Sequence, residues 1–283
     1  MDVHHLWIEE FIAEIEACCS TIETATETSF NVIGFNDKLF INFVSLNAHI
    51  NAEQLIELQT RYHKEQKTLI HLWEDVWSNK RTQVLSRIYS FLSLNKIIYA
   101  RSVQIKEVKE TNSVKSFLEE NHLQGYVKTA YNYGLYYKDI LISVACFGAE
   151  KLMKSRGENY YSSELVRFAT QEGYTVTGGL SKLIRYFLEE AKVNDIMTYA
   201  DRDWSVGNGY EKLGFNKMLY TPPLYMLVDL STGKRYLEDK LPKSITAKFL
   251  NINKEEELKA QLLQNDFVRV FNTGNIKYIL YNG

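Results

Sequence analysis

The chain of 283 residues carries a net charge of −2 and is 45% hydrophobic and 24% charged, which is typical of a globular protein large enough for two domains. These values exclude a disordered chain and a uniformly basic nucleic-acid-binding surface. The three cysteines fit neither a disulfide framework nor a CxxC metal spacing, and no segment resembles a signal peptide or a membrane span, so we expect a cytoplasmic protein without a metal.

The first region, residues 1–95, predicts a small α/β domain. Apolar residues at helical spacing indicate a helix over 5–23, and a hairpin is predicted over 30–44 with its turn at Asn36–Lys38. The same patterns predict three further elements, which are a helix over 51–66, a strand over 68–73 and a helix over 77–92.

The second region, residues 96–230, predicts a longer alternation of strands and helices. Helices are predicted over 113–121 (capped by Asn112), 180–192 and 206–213. Strands are predicted over 97–108, over the two halves of 134–148 with a turn at Lys138–Asp139, and over 160–169, 196–200 and 220–229.

The remaining residues, 231–283, are predicted to form a C-terminal extension. A charged helix is expected over 254–264. Alternating apolar residues over 266–281 flank the turn sequence Asn272–Asn275, which predicts a hairpin.

Two adjacent glycines, Gly178 and Gly179, separate a predicted strand over Tyr174–Thr177 from the helix that follows. The first N–H groups of a helix have no partner within it, and together with the helix dipole they attract anions such as pyrophosphate. Because a helix follows directly, we favour an anion site over a plain strand-to-helix turn, which the same residues also fit. Lys182 would add positive charge there, unless it is simply solvated.

A second informative stretch, Tyr199–Phe215, ends on a short predicted helix that carries Tyr210. A phenol that lies beside a phosphate-binding turn favours group transfer from a phosphorylated carrier. The alternative is a tyrosine that only packs on its helix face.

The order of elements over 97–229 resembles the GNAT acyltransferase fold, and Tyr210-Glu-Lys-Leu-Gly-Phe215 is similar to that family's Tyr-x-Lys-x-Gly-Phe signature. Thr177-Gly-Gly-Leu-Ser-Lys182 occupies the place of the family's Arg/Gln-x-x-Gly-x-Gly/Ala pyrophosphate loop, although the leading basic residue is absent and the glycines are adjacent. The resemblance implies an α/β fold with a mixed central sheet flanked by helices, two splayed strands with an open cleft, and acetyl-CoA or another acyl-CoA as the small-molecule carrier.

The resemblance also implies roles for individual residues. The carrier would contact Val176, Thr177, Gly178, Gly179, Leu180, Ser181, Lys182 and Asn208. Tyr210 would give a proton to the thiolate of coenzyme A, and Glu164 would act through water as the general base. Arg167, Asp201 and Arg202 would bind the substrate. The alternatives are a structural salt bridge for Glu164 or Arg167, which a regular strand would place on opposite faces, and a helix-capping loop for Asp201 and Arg202.

Segments such as Phe117–Gly125, Glu164–Phe168 and Arg269–Asn275 carry a narrower resemblance over 68–283. They are similar to the GNAT-like half of phage-type proteins related to homing endonucleases, in which a very-short-patch-repair-like nuclease domain comes first. Asn42 stands where such nucleases carry a glutamate, and no aspartate partner precedes it. Because cleavage needs two carboxylates to hold a divalent metal, the resemblance implies a degenerate nuclease domain over residues 1–95.

Two functions from different classes follow from these observations. We favour an acyl-CoA-dependent N-acyltransferase that acts on an unidentified amine, and nucleic acid is among the acceptors that the two regions suggest. The alternative is a catalytically inactive, DNA-associated module derived from a phage-type endonuclease. No membrane partner is expected, and the sequence indicates no oligomeric state.

Overall fold

The computed structural model describes residues 6–17, 23–27, 30–205, 207–247, 260–264 and 266–282, which form a mixed α/β fold. Numbered in chain order, the helices are α1 (Leu6–Glu16), α2 (Ala52–Lys64), α3 (Glu74–Phe91), α4 (Thr111–Asn121), α5 (Gly179–Glu190), α6 (Asn208–Lys212) and α7 (Lys243–Thr246). The strands are β1 (Glu23–Glu27), β2 (Phe30–Gly34), β3 (Leu39–Val44), β4 (Thr68–Trp73), β5 (Lys96–Tyr99), β6 (Gln104–Glu107), β7 (Tyr131–Tyr137), β8 (Ile140–Phe147), β9 (Lys151–Leu152), β10 (Tyr161–Thr170), β11 (Tyr174–Thr177), β12 (Asp195–Asp201), β13 (Asn216–Tyr220), β14 (Tyr225–Asp229), β15 (Lys234–Leu237), β16 (Phe267–Phe271) and β17 (Asn275–Tyr281).

The described residues group into two compact units, and each unit draws on three separate stretches of the chain. Unit 1 takes its residues from Met1–Asn79, Asp201–Val206 and Thr221–Asn275. Unit 2 takes its residues from Lys80–Ala200, Gly207–Tyr220 and Ile276–Gly283. The three consecutive segments that the sequence predicts (1–95, 96–230 and 231–283) stay a prediction, because the order of elements along a chain does not reveal which distant strands pair.

The first sheet of unit 1 has the strand order β1-β2-β3-β4, and helix α2 connects β3 to its parallel neighbour β4. The predicted hairpin is confirmed, since the side-chain oxygen of Asn36 accepts the N–H groups of Lys38 (2.9 Å) and Leu39 (2.7 Å) in the turn. Helix α2 begins after Asn51, whose side chain forms a capping box with Gln54. The predicted elements of this region are therefore present, with α1 ending earlier than expected.

The second sheet of unit 1 has the order β15-β14-β16, and two predictions for these residues are wrong. Residues 220–229 form two strands rather than one, because Pro222 and Pro223 have no N–H group to continue the pairing. The hairpin predicted over 266–281 is also absent, since β16 pairs with β14 and β17 pairs with β13. The predicted helix over 254–264 lies mostly outside the described residues.

The main sheet of unit 2 has the order β13-β17-β12-β10-β8-β7-β6, and β9 adds to the end of β10. Strands β10 and β12 are parallel, whereas β10 is antiparallel to β8 and β8 to β7. On one face, the ring of Phe187 from α5 stacks on Phe147 of β8 at 4.0 Å. On the other, Leu118 of α4 packs with Val144 of β8. The predicted mixed central sheet flanked by helices is confirmed.

Smaller corrections concern the elements before the sheet. The strand predicted over 97–108 is two strands, because a 3-10 turn at Ala100–Ser102 separates β5, which pairs with β11, from β6 at the edge of the main sheet. Helix α4 begins at Thr111 with Glu110 as its N-cap, rather than with Asn112. Within the described ranges, no helix combines the length and the apolar character that crossing a membrane requires.

Candidate functional site

The main sheet of unit 2 opens between its two parallel strands. Strand β10 pairs with β12 only from Ser162–Leu165 to Asp195–Thr198. Beyond that point β10 continues to Thr170 and β12 to Asp201, but the two strands no longer pair with each other. The Thr198 hydroxyl donates to the Leu165 carbonyl at 2.9 Å, at the last paired position. The opening therefore lies at the carboxyl ends of parallel strands, where ligand sites of α/β sheets commonly form.

A β-bulge in β10 sets the side chains beside this opening. Leu165 pairs with Phe147 of β8 and Arg167 with Cys146, so Val166 is an extra residue in β10. Leu165 and Phe168 consequently face the same core as α5, and Glu164 and Arg167 share the opposite face. The prediction that Glu164 and Arg167 lie on opposite faces is wrong, because it assumed a regular strand.

Three charged or phenolic groups interact next to the opening. Burial raises the pKa of Tyr199 on β12, and the charge of Glu164 raises it further. Burial lowers the pKa of Arg167, an effect that Cys146 and Glu164 oppose. The guanidinium of Arg167 donates to the carbonyls of Gly125 (3.3 Å) and Val166 (2.9 Å). The carboxylate of Glu164 therefore acts on one group from each of the two separating strands.

The glycine turn joins β11 to α5, which is the strand–turn–helix order that the sequence predicts. Gly178 has a φ of +77° and is the N-cap of α5, a left-handed conformation that favours glycine. A side chain on Gly179 would lie 2.9 Å from the Leu135 side chain, so this glycine lets α5 pack closely on β7. The left-handed turn therefore explains Gly178, and the close contact of α5 with β7 explains Gly179.

The first turn of α5 leaves main-chain donors available. In the part of the chain that the structure describes, the N–H groups of Gly179, Leu180 and Ser181 have no hydrogen-bond acceptor, whereas the N–H of Lys182 donates to Gly178. The Lys182 ammonium donates to the carbonyls of Ala100 (2.9 Å) and Val103 (2.6 Å). Lys182 therefore holds the connection between β5 and β6, and the donors available to an anion are the amides.

The predicted strand before the glycines is confirmed as β11, with Val176 buried and Thr177 exposed. It pairs in parallel with β5, which places Val176 beside Ile98 and Thr177 beside Tyr99. Within the described ranges, the opposite edge of β11 has no strand partner. In this part of the chain, the main-chain groups along that edge are therefore not used by a neighbouring strand.

The hexapeptide Tyr210–Phe215 forms the C-terminal end of α6. The N–H of Phe215 donates to the Tyr210 carbonyl and the N–H of Gly214 to the Glu211 carbonyl, both at 3.0 Å. This is a Schellman motif, completed by a left-handed Gly214 and by contact between the Tyr210 and Phe215 rings at 5.4 Å. The motif explains the glycine and both aromatic rings, but it does not use the Tyr210 hydroxyl.

Helix α6 is anchored to strand β17 at its other end. The hydroxyl of Tyr278 donates to Glu211 at 3.1 Å, and a side chain on Gly207 would lie 1.9 Å from that hydroxyl. Glycine is therefore required at 207, where φ is +84°. Asn208 is exposed at the first position of α6, and the half-buried Tyr210 makes no hydrogen bond through its hydroxyl to any residue that the structure describes.

Asp201 and Arg202, which were predicted to bind substrate, belong to unit 1 and make structural contacts there. The Arg202 guanidinium donates to the Thr273 carbonyl at 3.0 Å, and the Asp201 carboxylate accepts the N–H of Asp203 at 3.1 Å. Asp203 accepts the N–H (2.8 Å) and the hydroxyl (2.7 Å) of Thr273. These contacts tie the end of β12 to the turn that precedes β17.

The centre of the first sheet in unit 1 carries Asn42 and His71 on neighbouring strands. The Asn42 amide lies 3.2 Å from Nδ1 of His71, and Nε2 of His71 lies 3.1 Å from the Leu55 carbonyl. Burial lowers the pKa of His71 to about 3, so the ring is neutral. Among the described residues, no group of three His, Cys, Asp or Glu side chains could hold a metal.

Two groups near the opening were not predicted to matter from the sequence. Tyr199 begins the stretch Tyr199–Phe215 but has no catalytic or binding role predicted from the sequence. Its alternation with the buried Thr198 and Ala200 is the signal that marks its side chain as exposed. His122, the C-cap of α4, lies in the segment Phe117–Gly125 but has no role predicted from the sequence. Its ring accepts the N–H of Gln124 at 3.1 Å, and no local signal in the sequence identifies it.

Comparisons with known proteins find no matching family model and no match among curated proteins. Solved structures do match. A Bacillus subtilis acetyltransferase in complex with CoA is 15% identical, with a TM-score of 0.38 over 63% of this chain and 98% of the other. A GNAT family acetyltransferase from Elizabethkingia anophelis with acetyl-CoA bound is 12% identical, with a TM-score of 0.34 over 64% and 98%. The IAA acetyltransferase from Bacillus cereus is 16% identical, with a TM-score of 0.36 over 64% and 99%.

Proposed function

We propose that unit 2 is an acyl-CoA-dependent N-acyltransferase, which transfers an acyl group to a primary amine. The observation that carries the proposal is the opening between β10 and β12, because it places the carboxylate of Glu164 beside a gap in the sheet. The available amides of the glycine turn and the hydroxyl of Tyr210 belong to the same unit. The neighbours solved with CoA or acetyl-CoA motivate the choice of carrier.

The residues of the glycine turn fit a carrier with a pyrophosphate group. The amides of Gly179, Leu180 and Ser181 would donate to its oxygens, since they have no acceptor among the described residues. The carrier's extended arm would follow the free edge of β11 at Val176 and Thr177. Lys182 would act indirectly by holding the β5–β6 connection, and the exposed Asn208 would contact the carrier from α6.

Two side chains would move the protons of the transfer. When bound, acyl-CoA supplies an activated carbonyl carbon. The amine forms a C–N bond to that carbon as the C–S bond breaks, and Glu164 accepts the proton that the amine loses, through a water molecule. Tyr210 gives its hydroxyl proton to the sulfur. Arg167 would contact the amine substrate, whereas Asp201 and Arg202 are more simply explained by their contacts with Asp203 and Thr273 in unit 1.

Acyl transfer is tested by incubating the full chain with acetyl-CoA and a panel of primary amines, with mass spectrometry of the products. We expect at least one acetylated amine, and loss of about 100-fold in kcat for Glu164→Gln. Glu189→Gln, an exposed carboxylate on α5, is the matched control. Absence of both acetyl-CoA binding and product at millimolar concentrations would overturn the proposal.

A nucleic-acid-associated module derived from a nuclease is the second candidate, and the centre of unit 1 favours it over an active nuclease. Asn42 is buried and paired with a neutral His71, so the position that the resemblance assigns to a glutamate has no charge. Fluorescence anisotropy with duplex DNA at low and at physiological salt tests this function. Salt-dependent binding without cleavage in magnesium supports it, and no binding at low salt contradicts it.

A further inference from the structure

The guanidinium of Arg167 retains unused hydrogen-bonding capacity. A guanidinium has five N–H donors, and Arg167 uses Nε and one Nη for the carbonyls of Gly125 and Val166. Its second Nη has no acceptor within the described ranges, and no carboxylate there lies within 4 Å of the group. Because the side chain is partly buried, water compensates this charge less than it would at an exposed site.

Arg167 is one of three cations that act on the ring of His122. Arg167, Arg87 and Lys80 all act on the His122 ring, and with burial as the largest cause they lower its pKa to about 3. The neutral ring accepts the N–H of Gln124 at Nδ1, so its own proton lies on Nε2. The Glu119 carboxylate lies 3.5 Å from the Lys80 ammonium, and the charge of Glu164 acts on Arg167.

The bulge at Val166 brings the guanidinium of Arg167 close to the proposed reaction. It puts Arg167 on the same face of β10 as Glu164, the proposed base. An amine that gives its proton to Glu164 would therefore have Arg167 within reach of a second substituent. The single charge of the guanidinium matches a single negative charge, and its remaining donors match the two oxygens of a carboxylate.

We propose that the acceptor amine carries a carboxylate that pairs with Arg167, which makes amino acids or similar amino carboxylates the substrate class. This inference rests on the proposed acyl transfer. Arg167 would be a specificity-determining residue that contacts substrate, and His122 would add a neutral N–H donor beside it. The main-chain contacts of Arg167 to Gly125 and Val166 would hold the guanidinium in place.

The test compares amino acids with their own carboxamides, using the full chain and acetyl-CoA, with phosphoethanolamine as a probe for phosphate. We expect kcat/KM to be at least about tenfold higher for the acids than for the amides. Phosphoethanolamine as the preferred acceptor, or equal rates for acids and amides, would overturn the inference. Because this comparison uses the unchanged protein, it does not depend on a variant that folds.

Variants separate recognition from structure. Arg167→Gln should raise KM for the acids by about 30-fold and leave KM for the amides unchanged, and Arg167→Lys should recover part of the loss. Arg185→Gln, an exposed arginine on α5, is the charge-matched control. An equal loss for acids and amides would mean a structural role and would overturn the inference alone. No acetyl-CoA binding and no transfer to any amine would overturn the proposed function as well.

Discussion

The polar cluster of unit 1 (Asn42, His71, Asp203 and Thr273) and the opening in unit 2 differ in how fully their polar groups are paired. In the cluster, both ring nitrogens of His71 have partners and Asp203 accepts two hydrogen bonds from Thr273. In unit 2, Arg167 beside the opening keeps unused donors, and the first amides of α5 have no acceptor in the described part of the chain.

This difference separates structural chemistry from binding chemistry. Buried polar groups that satisfy one another stabilise a fold but have little left for a ligand. Groups that remain unpaired at an accessible edge can bind water, which a ligand can replace. The polar cluster of unit 1 is therefore explained by its own structure, whereas the unpaired donors of unit 2 are available to a ligand.

The largest expected effect would come from breaking a completed pair in unit 1. The Asp75 carboxylate accepts two hydrogen bonds from Arg235, at 2.6 and 2.7 Å, and only 4% of its side chain is exposed. Asp75→Ala would leave Arg235 without its counter-ion and lower the free energy of unfolding by about 3–5 kcal/mol, measured by urea denaturation. Lys109→Ala, which breaks an exposed pair with Glu107, should change it by less than about 1 kcal/mol. Equal effects of the two changes would contradict the account.

In unit 2, Tyr210→Phe tests whether the hydroxyl of Tyr210, which the Schellman motif does not use, serves catalysis. The change keeps the Tyr210–Phe215 ring contact and the Schellman motif, so stability and acetyl-CoA affinity should be retained. Loss of the hydroxyl should lower kcat by about 100-fold, measured under saturating acetyl-CoA. Tyr161→Phe, on an exposed tyrosine of β10, should leave kcat unchanged. If Tyr210→Phe has full activity, the hydroxyl has no catalytic role and Tyr210 is only a packing residue.

A smaller effect concerns the pH dependence of stability in unit 1. The pKa of His71 is about 3 against an ordinary 6.5, so its contribution is full above pH 6.5 and is lost as the pH falls. Burial, with the charge of Asp201, raises the pKa of Asp203 from 3.8 to about 7, so its contribution is present at low pH and is lost as the pH rises towards 7. Between about pH 4 and 6.5 the two slopes oppose each other.

Asp203→Asn should remove the pH dependence of stability that Asp203 contributes, while the amide oxygen can still accept hydrogen bonds from Thr273. Relative to the unchanged protein, the free energy of unfolding should then increase with pH by up to about 1.4 kcal/mol per unit between pH 4 and 7. Urea denaturation at several pH values measures the two curves. Parallel curves would mean that Asp203 is ionised throughout this range, and the assignment would be wrong.

Much of the candidate site follows from local sequence, because its parts are local structures. The glycine pair predicts the turn before α5, and the sequence Tyr210–Phe215 predicts a short helix with its glycine end. The residues around Glu164 show the limit of this reasoning. The bulge at Val166 depends on the register with β8, and the partners of β16 and β17 depend on strands far away in the chain, so no local pattern specifies them.

Binding of acetyl-CoA to the full chain, measured by isothermal titration calorimetry, tests the central claim most directly. If the opening in unit 2 and the amides of the glycine turn receive an acyl carrier, the titration will saturate at one site per chain. The affinity should fall for Gly178→Val, which cannot easily adopt the left-handed turn, and not for Gly173→Val, which has the same left-handed strain in an open turn. No heat of binding at millimolar acetyl-CoA, or an equal loss for both variants, would contradict the account.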